Sequence, residues 1–203
     1  MNTNLSSRRA FLQATVRGSV ALPLLTSLGM ATDALAASQS AAEGSLCLFE
    51  ADATMGAGMA ADVRRLGLAY QTLTLDDAAG WHAMLDALAA ANGRALAVLG
   101  RPATVFAVRN VLEPAWRVVL EGRHHHVESG AMRHTFNGLD APMNKLASWI
   151  DRVSDPAQYA VVLASMGHGE LAANAERQTL DLQSHAWPGD DLVSLLAWPR
   201  GVA

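Results

Sequence analysis

Trp81-His82-Ala83-Met84-Leu85-Asp86-Ala87-Leu88-Ala89-Ala90-Ala91-Asn92-Gly93-Arg94-Ala95-Leu96-Ala97-Val98-Leu99-Gly100-Arg101-Pro102 contains the change of period that decides the fold class. In its first half Trp81, Met84, Leu85 and Leu88 recur at helical spacing, the apolar face of an amphipathic helix. Asn92-Gly93 closes that pattern with residues that tolerate left-handed backbone. Ala95 to Leu99 follows as a short apolar strand. Pro102 then opens a second helix carrying Val105, Val108 and Leu112, which Pro114 stops.

The same alternation extends in both directions. Before it, Leu46 to Phe49 is a run of strand length, Gly58 begins a helical pattern with Met59, Val63 and Leu66, Gly67 ends it, and Tyr70 to Leu75 alternates as a strand. After it, Trp116 to Leu120 is another strand. Strand and helix in turn predict a mainly parallel sheet with flanking helices in the first half of the chain. Beyond Glu121 the character changes: His124 to Glu128 and Ala131 to Phe136 flank Ser129-Gly130 as a hairpin. Pro142 to Val153 reads as a helix opened by Asp140, and Asp155 opens another, with Gln158 placed to return a capping bond. Thr179 to Ser184 and Leu192 to Trp198 are expected to pair with each other across Trp187 to Asp191. The fold class is therefore α/β, with antiparallel strands and two helices added to the parallel part in the second half.

The N-terminus is organised differently. Ser7-Arg8-Arg9-Ala10-Phe11-Leu12-Gln13 precedes an apolar stretch from Gly18 to Ala31, and Ala34-Leu35-Ala36-Ala37 supplies small residues for a signal peptidase. This motif resembles the twin-arginine (Tat) export signal, with Gln13 at the position where that family often has Lys. The resemblance implies transport in the folded state by the Tat translocase and a periplasmic address. The apolar stretch is shorter than the roughly 20 residues that span a bilayer, so no stable membrane span is expected. The chain divides into a cleaved signal peptide at 1–36, a linker at 37–44 and one α/β domain at 45–203.

From Ala37 onward there are 12 basic and 18 acidic residues, scattered without a basic stripe, which excludes nucleic acid as a partner. Cys47 is the one cysteine of the chain, so no internal disulfide can form, and its apolar neighbours suit a small buried side chain. Met55, Met59, Met84, Met132, Met143 and Met166 mostly sit at core-facing spacing and read as packing.

The histidines are the most conspicuous chemical feature. On a strand, His124 and His126 share one face and His125 the other. A two-residue turn sets His125 opposite His134; a three-residue turn sets His124 or His126 there. Either way two imidazoles converge, as a zinc or copper ion requires, with Glu128 or His168 as candidate third ligands. A second candidate is Gly56-Ala57-Gly58, between the first strand and first helix, with Asp76 placed as the ribose-binding acid of a dinucleotide site. The acidic Glu50-Ala51-Asp52 before those glycines opposes a pyrophosphate. A third is the carboxyl edge of the parallel strands, where Glu50, Asp52, Asp76, Asp77 and Arg101 gather, Asp76 or Asp77 doubling as a helix cap. No GxSxG elbow and no phosphate-binding P-loop occurs.

These observations favour an exported, non-catalytic binding or accessory protein, in company with an exported redox or other periplasmic partner. A metalloprotein using the hairpin histidines and a nucleotide-dependent oxidoreductase are the competing classes. Replacing Arg8 and Arg9 together by Lys is expected to strand the full-length precursor in the cytoplasm. Cell fractionation checks this, and undiminished periplasmic protein would remove the twin-arginine reading.

Overall fold

The computed structural model describes residues 45–50, 69–91, 93–112, 115–167 and 175–200. The export signal, the linker, Asp52, the Gly56 and Gly58 cluster, the expected helix from Gly58, Pro114 and His168 lie outside them. Within them are seven strands and four α-helices: β1 (Ser45–Glu50), β2 (Ala69–Leu73), α1 (Ala78–Ala90), β3 (Ala95–Gly100), α2 (Pro102–Leu112), β4 (Trp116–His126), β5 (Ala131–Leu139), α3 (Asp140–Ala147), α4 (Pro156–Ala164), β6 (Arg177–His185) and β7 (Leu192–Pro199). A single 3-10 turn, Ile150–Arg152, sits between α3 and α4.

The strands form one mixed sheet in the order β2-β1-β3-β7-β4-β5-β6. β1 pairs in parallel with β2 and β3, while every pairing from β3 to β6 is antiparallel. The α/β class and its division into a parallel first part and an antiparallel second part are as expected. The final pairing is not. β6 and β7 do not pair with each other: β6 lies at the edge beside β5, and β7 runs between β3 and β4.

The physical reason is burial. In β7, Leu192, Leu195, Leu196, Ala197 and Trp198 are all buried, so the strand is apolar on both faces and needs cover on both. β6 alternates exposed polar residues with half-buried Leu180 and Leu182, a pattern that suits an edge. Trp116 to Leu120 and the histidine run also prove to be one strand, β4, with a register break between Val118 and Leu120.

Local chemistry explains the helix starts. The Asp77 carboxylate accepts a 2.8 Å bond from the Gly80 N–H and so caps α1. A β-carbon at Gly80 would stand 1.5 Å from the Thr74 carbonyl oxygen, so only glycine lets β2 turn into α1 this closely. Asp155 caps α4 through the Gln158 N–H at 2.9 Å, and the Gln158 side chain returns a 3.0 Å bond to the N–H of Ser154, one residue before the cap. Of the apolar residues expected on one face of α1, Met84 and Leu88 are buried, whereas Trp81 and Leu85 stand 37% and 42% exposed.

Two apolar layers result. On one face α3 and α4 cover Phe136, Tyr159, Leu196 and their neighbours, and Cys47 and Met132 pack there. On the other, α1 and α2 pack on Leu48, Leu73, Val98 and Leu195, over the β2-β1-β3-β7 half. Cys47 is buried as expected, its thiol pushed up to about 12 by loss of solvent.

The place of β7 has a measurable consequence. Leu196→Ala, at a fully buried position of the central strand, is expected to cost about 2–5 kcal/mol in urea unfolding. Leu180→Ala on edge strand β6 is expected to cost clearly less. Equal losses would contradict the central position of β7.

Candidate functional site

The hairpin β4–β5 decides where the histidines go. Its turn is Glu128-Ser129-Gly130, with the Val127 N–H bonded to the Ala131 carbonyl and Gly130 at φ +73°. This is the three-residue alternative, and it sets His124 opposite His134. Both rings point into the layer under α4 and are buried.

There they join a chain of side-chain hydrogen bonds. His124 Nδ1 lies 2.8 Å from His134 Nδ1, and His124 Nε2 lies 2.9 Å from Ser194 Oγ. Ser194 Oγ is in turn 2.8 Å from the Tyr159 hydroxyl. At the other end His134 Nε2 meets Ser184 Oγ at 2.7 Å, and Ser184 donates to the His185 carbonyl at 2.8 Å.

The proton directions follow from that last bond. Ser184 has one hydrogen and gives it to a carbonyl, so His134 must donate from Nε2 and accept at Nδ1. His124 then donates from Nδ1 and accepts at Nε2, which takes the Ser194 hydroxyl hydrogen. Ser194 accepts from Tyr159. The chain therefore runs one way, from Tyr159 through Ser194, His124 and His134 to Ser184, with both imidazoles neutral and every ring nitrogen satisfied.

Packing encloses it. Trp187 lies over both histidines, its ring centroid 5.0 Å from His124 and 4.7 Å from His134. Its indole N–H reaches the Val153 carbonyl at 3.3 Å. His126 holds the loop that carries Trp187: its backbone N–H donates to Asp191 at 3.0 Å and its Nε2 bonds the Gly189 carbonyl at 2.8 Å. Gly122 supplies the room, because a β-carbon there would stand 2.6 Å from Ser194 Oγ and 2.8 Å from the Phe136 ring.

Burial pushes both imidazoles down. His124 falls well below the ordinary histidine value, with the neighbouring His134 and His125 adding to the effect. His134 falls to about 4, again through burial first and His125 second. Burial raises the Tyr159 hydroxyl, against a smaller opposing effect from its bond to Ser194.

Ser194, His124 and His134 have the order of a nucleophile, a base and a group that orients the base. The serine oxygen, however, already accepts from Tyr159 and is 0% exposed, so no substrate carbonyl reaches it in this conformation. As a metal site the pair is also incomplete: among the described residues no third His, Cys, Asp or Glu joins it. Glu128 is exposed at the turn.

The other side of the same strands is open. α2 and the outward residues of β4, β5 and β7 border a groove of about 910 Å³, lined among others by Phe106, Arg109, Arg123, His125, Asn137 and Val193. His125 thus faces away from the other two histidines of its run. Arg109 and Arg177 both pair with Glu121 there.

No known protein family, curated protein or solved structure matches the chain.

The remaining expected positions separate. Glu50, Asp76, Arg101 and Trp81 line a second cavity of about 1000 Å³ at the carboxyl edge of β1, β2 and β3, while Asp77 is spent on its cap. Glu50 binds the Arg101 N–H at 2.7 Å and its Nε at 2.8 Å. Burial alone would raise the Glu50 carboxyl; the bonds from Arg101 and Thr104 outweigh it and lower the value. Asp76 is exposed at this edge, and the glycines meant to complete a nucleotide site with it lie outside the described residues.

Sequence reasoning missed Ser194, Tyr159, Ser184 and Trp187. One signal was present: Ser194 shares its strand face with Leu192, Leu196 and Trp198, so a hydroxyl there points into the core and needs a partner.

Neutral buried histidines make stability depend on pH. The unfolded chain takes up protons near the ordinary histidine value of 6.5, whereas His134 does so only near 4 in the fold. Stability is therefore full above pH 6.5 and is expected to fall as pH drops from there toward 4. The slope reaches about 1.4 kcal/mol per pH unit for each histidine. Urea unfolding at a series of pH values measures it; a flat profile through that window would mean that the imidazoles are not held neutral.

Proposed function

We propose that the chain is a periplasmic protein, exported folded by the twin-arginine route, that works by binding a ligand or partner and not by catalysis. The observation that carries this reading is the contrast between the two faces of β4 and β5. Inward, the groups with catalytic chemistry are sealed and mutually satisfied. Outward, the same strands floor an open groove with charged, polar and aromatic walls. Ligand sites are typically concave, with a few polar groups placed against apolar surface.

The export address rests on Ser7-Arg8-Arg9-Ala10-Phe11-Leu12 and the small residues Ala34 and Ala36. No helix among the described residues is long and apolar enough to cross a membrane. Transport in the folded state suits an accessory of an exported redox system, because such partners are assembled before export.

Elemental analysis and an absorbance scan of the protein purified from periplasm test the reading. Zinc, copper and iron well below one equivalent and no visible chromophore are expected. A stoichiometric metal that is lost in His134→Ala, or a chromophore that survives purification, overturns it.

A further inference from the structure

Phe106 is 67% exposed, more than Trp81 or Leu85, and it stands on the wall of the groove. Pro102 and Arg109 line the same wall, at helical spacing from Phe106. A ring so exposed presents its flat face to another flat apolar group.

Opposite that wall the floor carries Arg123 and His125, and Glu121 and Asp191 also line the groove. Arg123 is set between Val193 of β7 and Thr135 of β5. His125 is directly across from Arg133.

Of the acids nearby, only Glu121 is ion-paired; Asp181 and Asp191 accept from neutral donors and keep their charge. Glu121 pairs with Arg109 and Arg177. Asp181 accepts from the Thr135 hydroxyl at 2.6 Å, and Asp191 from the His126 N–H at 3.0 Å. Arg123 has no ion pair among the described residues. Its planar guanidinium is suited to a two-point bond with a carboxylate.

Building on the binding role, we infer that this groove takes a small aromatic carboxylate, its ring against Phe106 and its carboxylate on Arg123, with His125 beside it. The two anchors are complementary: the exposed ring supplies affinity for the flat part, and the Arg123 guanidinium selects the anion.

The test is isothermal titration calorimetry with naphthoate, and with naphthamide as its neutral isostere. Naphthoate is expected to bind one to one and at least about tenfold more tightly than naphthamide, the difference worth about 1.4 kcal/mol. Arg123→Gln should abolish that preference without weakening naphthamide, and Phe106→Ala should weaken both. Both side chains are exposed, so the fold should survive, and unchanged thermal melts would confirm that. Equal affinity for the two probes, an unaltered preference in Arg123→Gln, or no binding of naphthoate overturns the ligand assignment. Failure here with a metal-free periplasmic protein leaves the binding role standing with a different ligand, whereas a stoichiometric metal brings down the role itself.

Discussion

Two buried, neutral imidazoles that share one Nδ1–Nδ1 bond are fully satisfied only while each outer nitrogen has a partner of the right kind. His134 needs an acceptor at Nε2 and finds Ser184; His124 needs a donor at Nε2 and finds Ser194. Those partners come from β6 and β7, which flank the hairpin on its two sides. Tyr159 of α4 then supplies the hydrogen that Ser194 must accept. One proton arrangement thus ties four strands and a helix together. A shift of one residue in any strand would turn its polar group to the other face and leave a buried nitrogen or hydroxyl unpaired.

That constraint also accounts for the unusual order of the sheet. If β7 had paired with β6, as their adjacency in sequence suggested, Ser194 would have stood outside the hairpin. His124 would have lost its donor, and an apolar strand would have been left near an edge. Placing β7 between β3 and β4 satisfies the hydrogen bond and the burial together. It also joins the parallel and antiparallel parts into one sheet, because β7 is antiparallel to both of its neighbours.

Much of this was legible along the chain because the signals were local. The switch from helical spacing at Trp81–Leu88 to the apolar run at Ala95–Leu99, the caps at Asp77 and Asp155, and the convergence of two histidines across the hairpin each depend on a few neighbouring residues. The place of β7 was not legible in that way, since it depends on a partner some seventy positions earlier, His124 with Ser194. Leu192 to Trp198 nonetheless carried a hint: an apolar strand on both faces belongs inside a sheet. Tyr159 lies in a helix so apolar that nothing local in its sequence marks its hydroxyl as a hydrogen-bonding group. Trp187 falls in the connection between β6 and β7, and it is that loop, fixed by His126, that folds the ring back over the hydrogen-bonded chain.

The run Arg123-His124-His125-His126 shows how a two-residue period divides chemistry between environments. The same strand sends His124 into a sealed layer, where burial keeps it neutral, and Arg123 and His125 into an open groove, where water and any ligand reach them. Identical side chains one position apart therefore do opposite things. His124 is bound to neighbours that hold the fold, and His126 to the loop over them, so neither is free to change role. Outward, Glu121 is paired with Arg109 and Arg177, but the side chains of Arg123 and Phe106 make no hydrogen bond or ion pair among the described residues. Binding can change along that face while the inward chain stays intact, and the pleat of β4 is what makes the two independent.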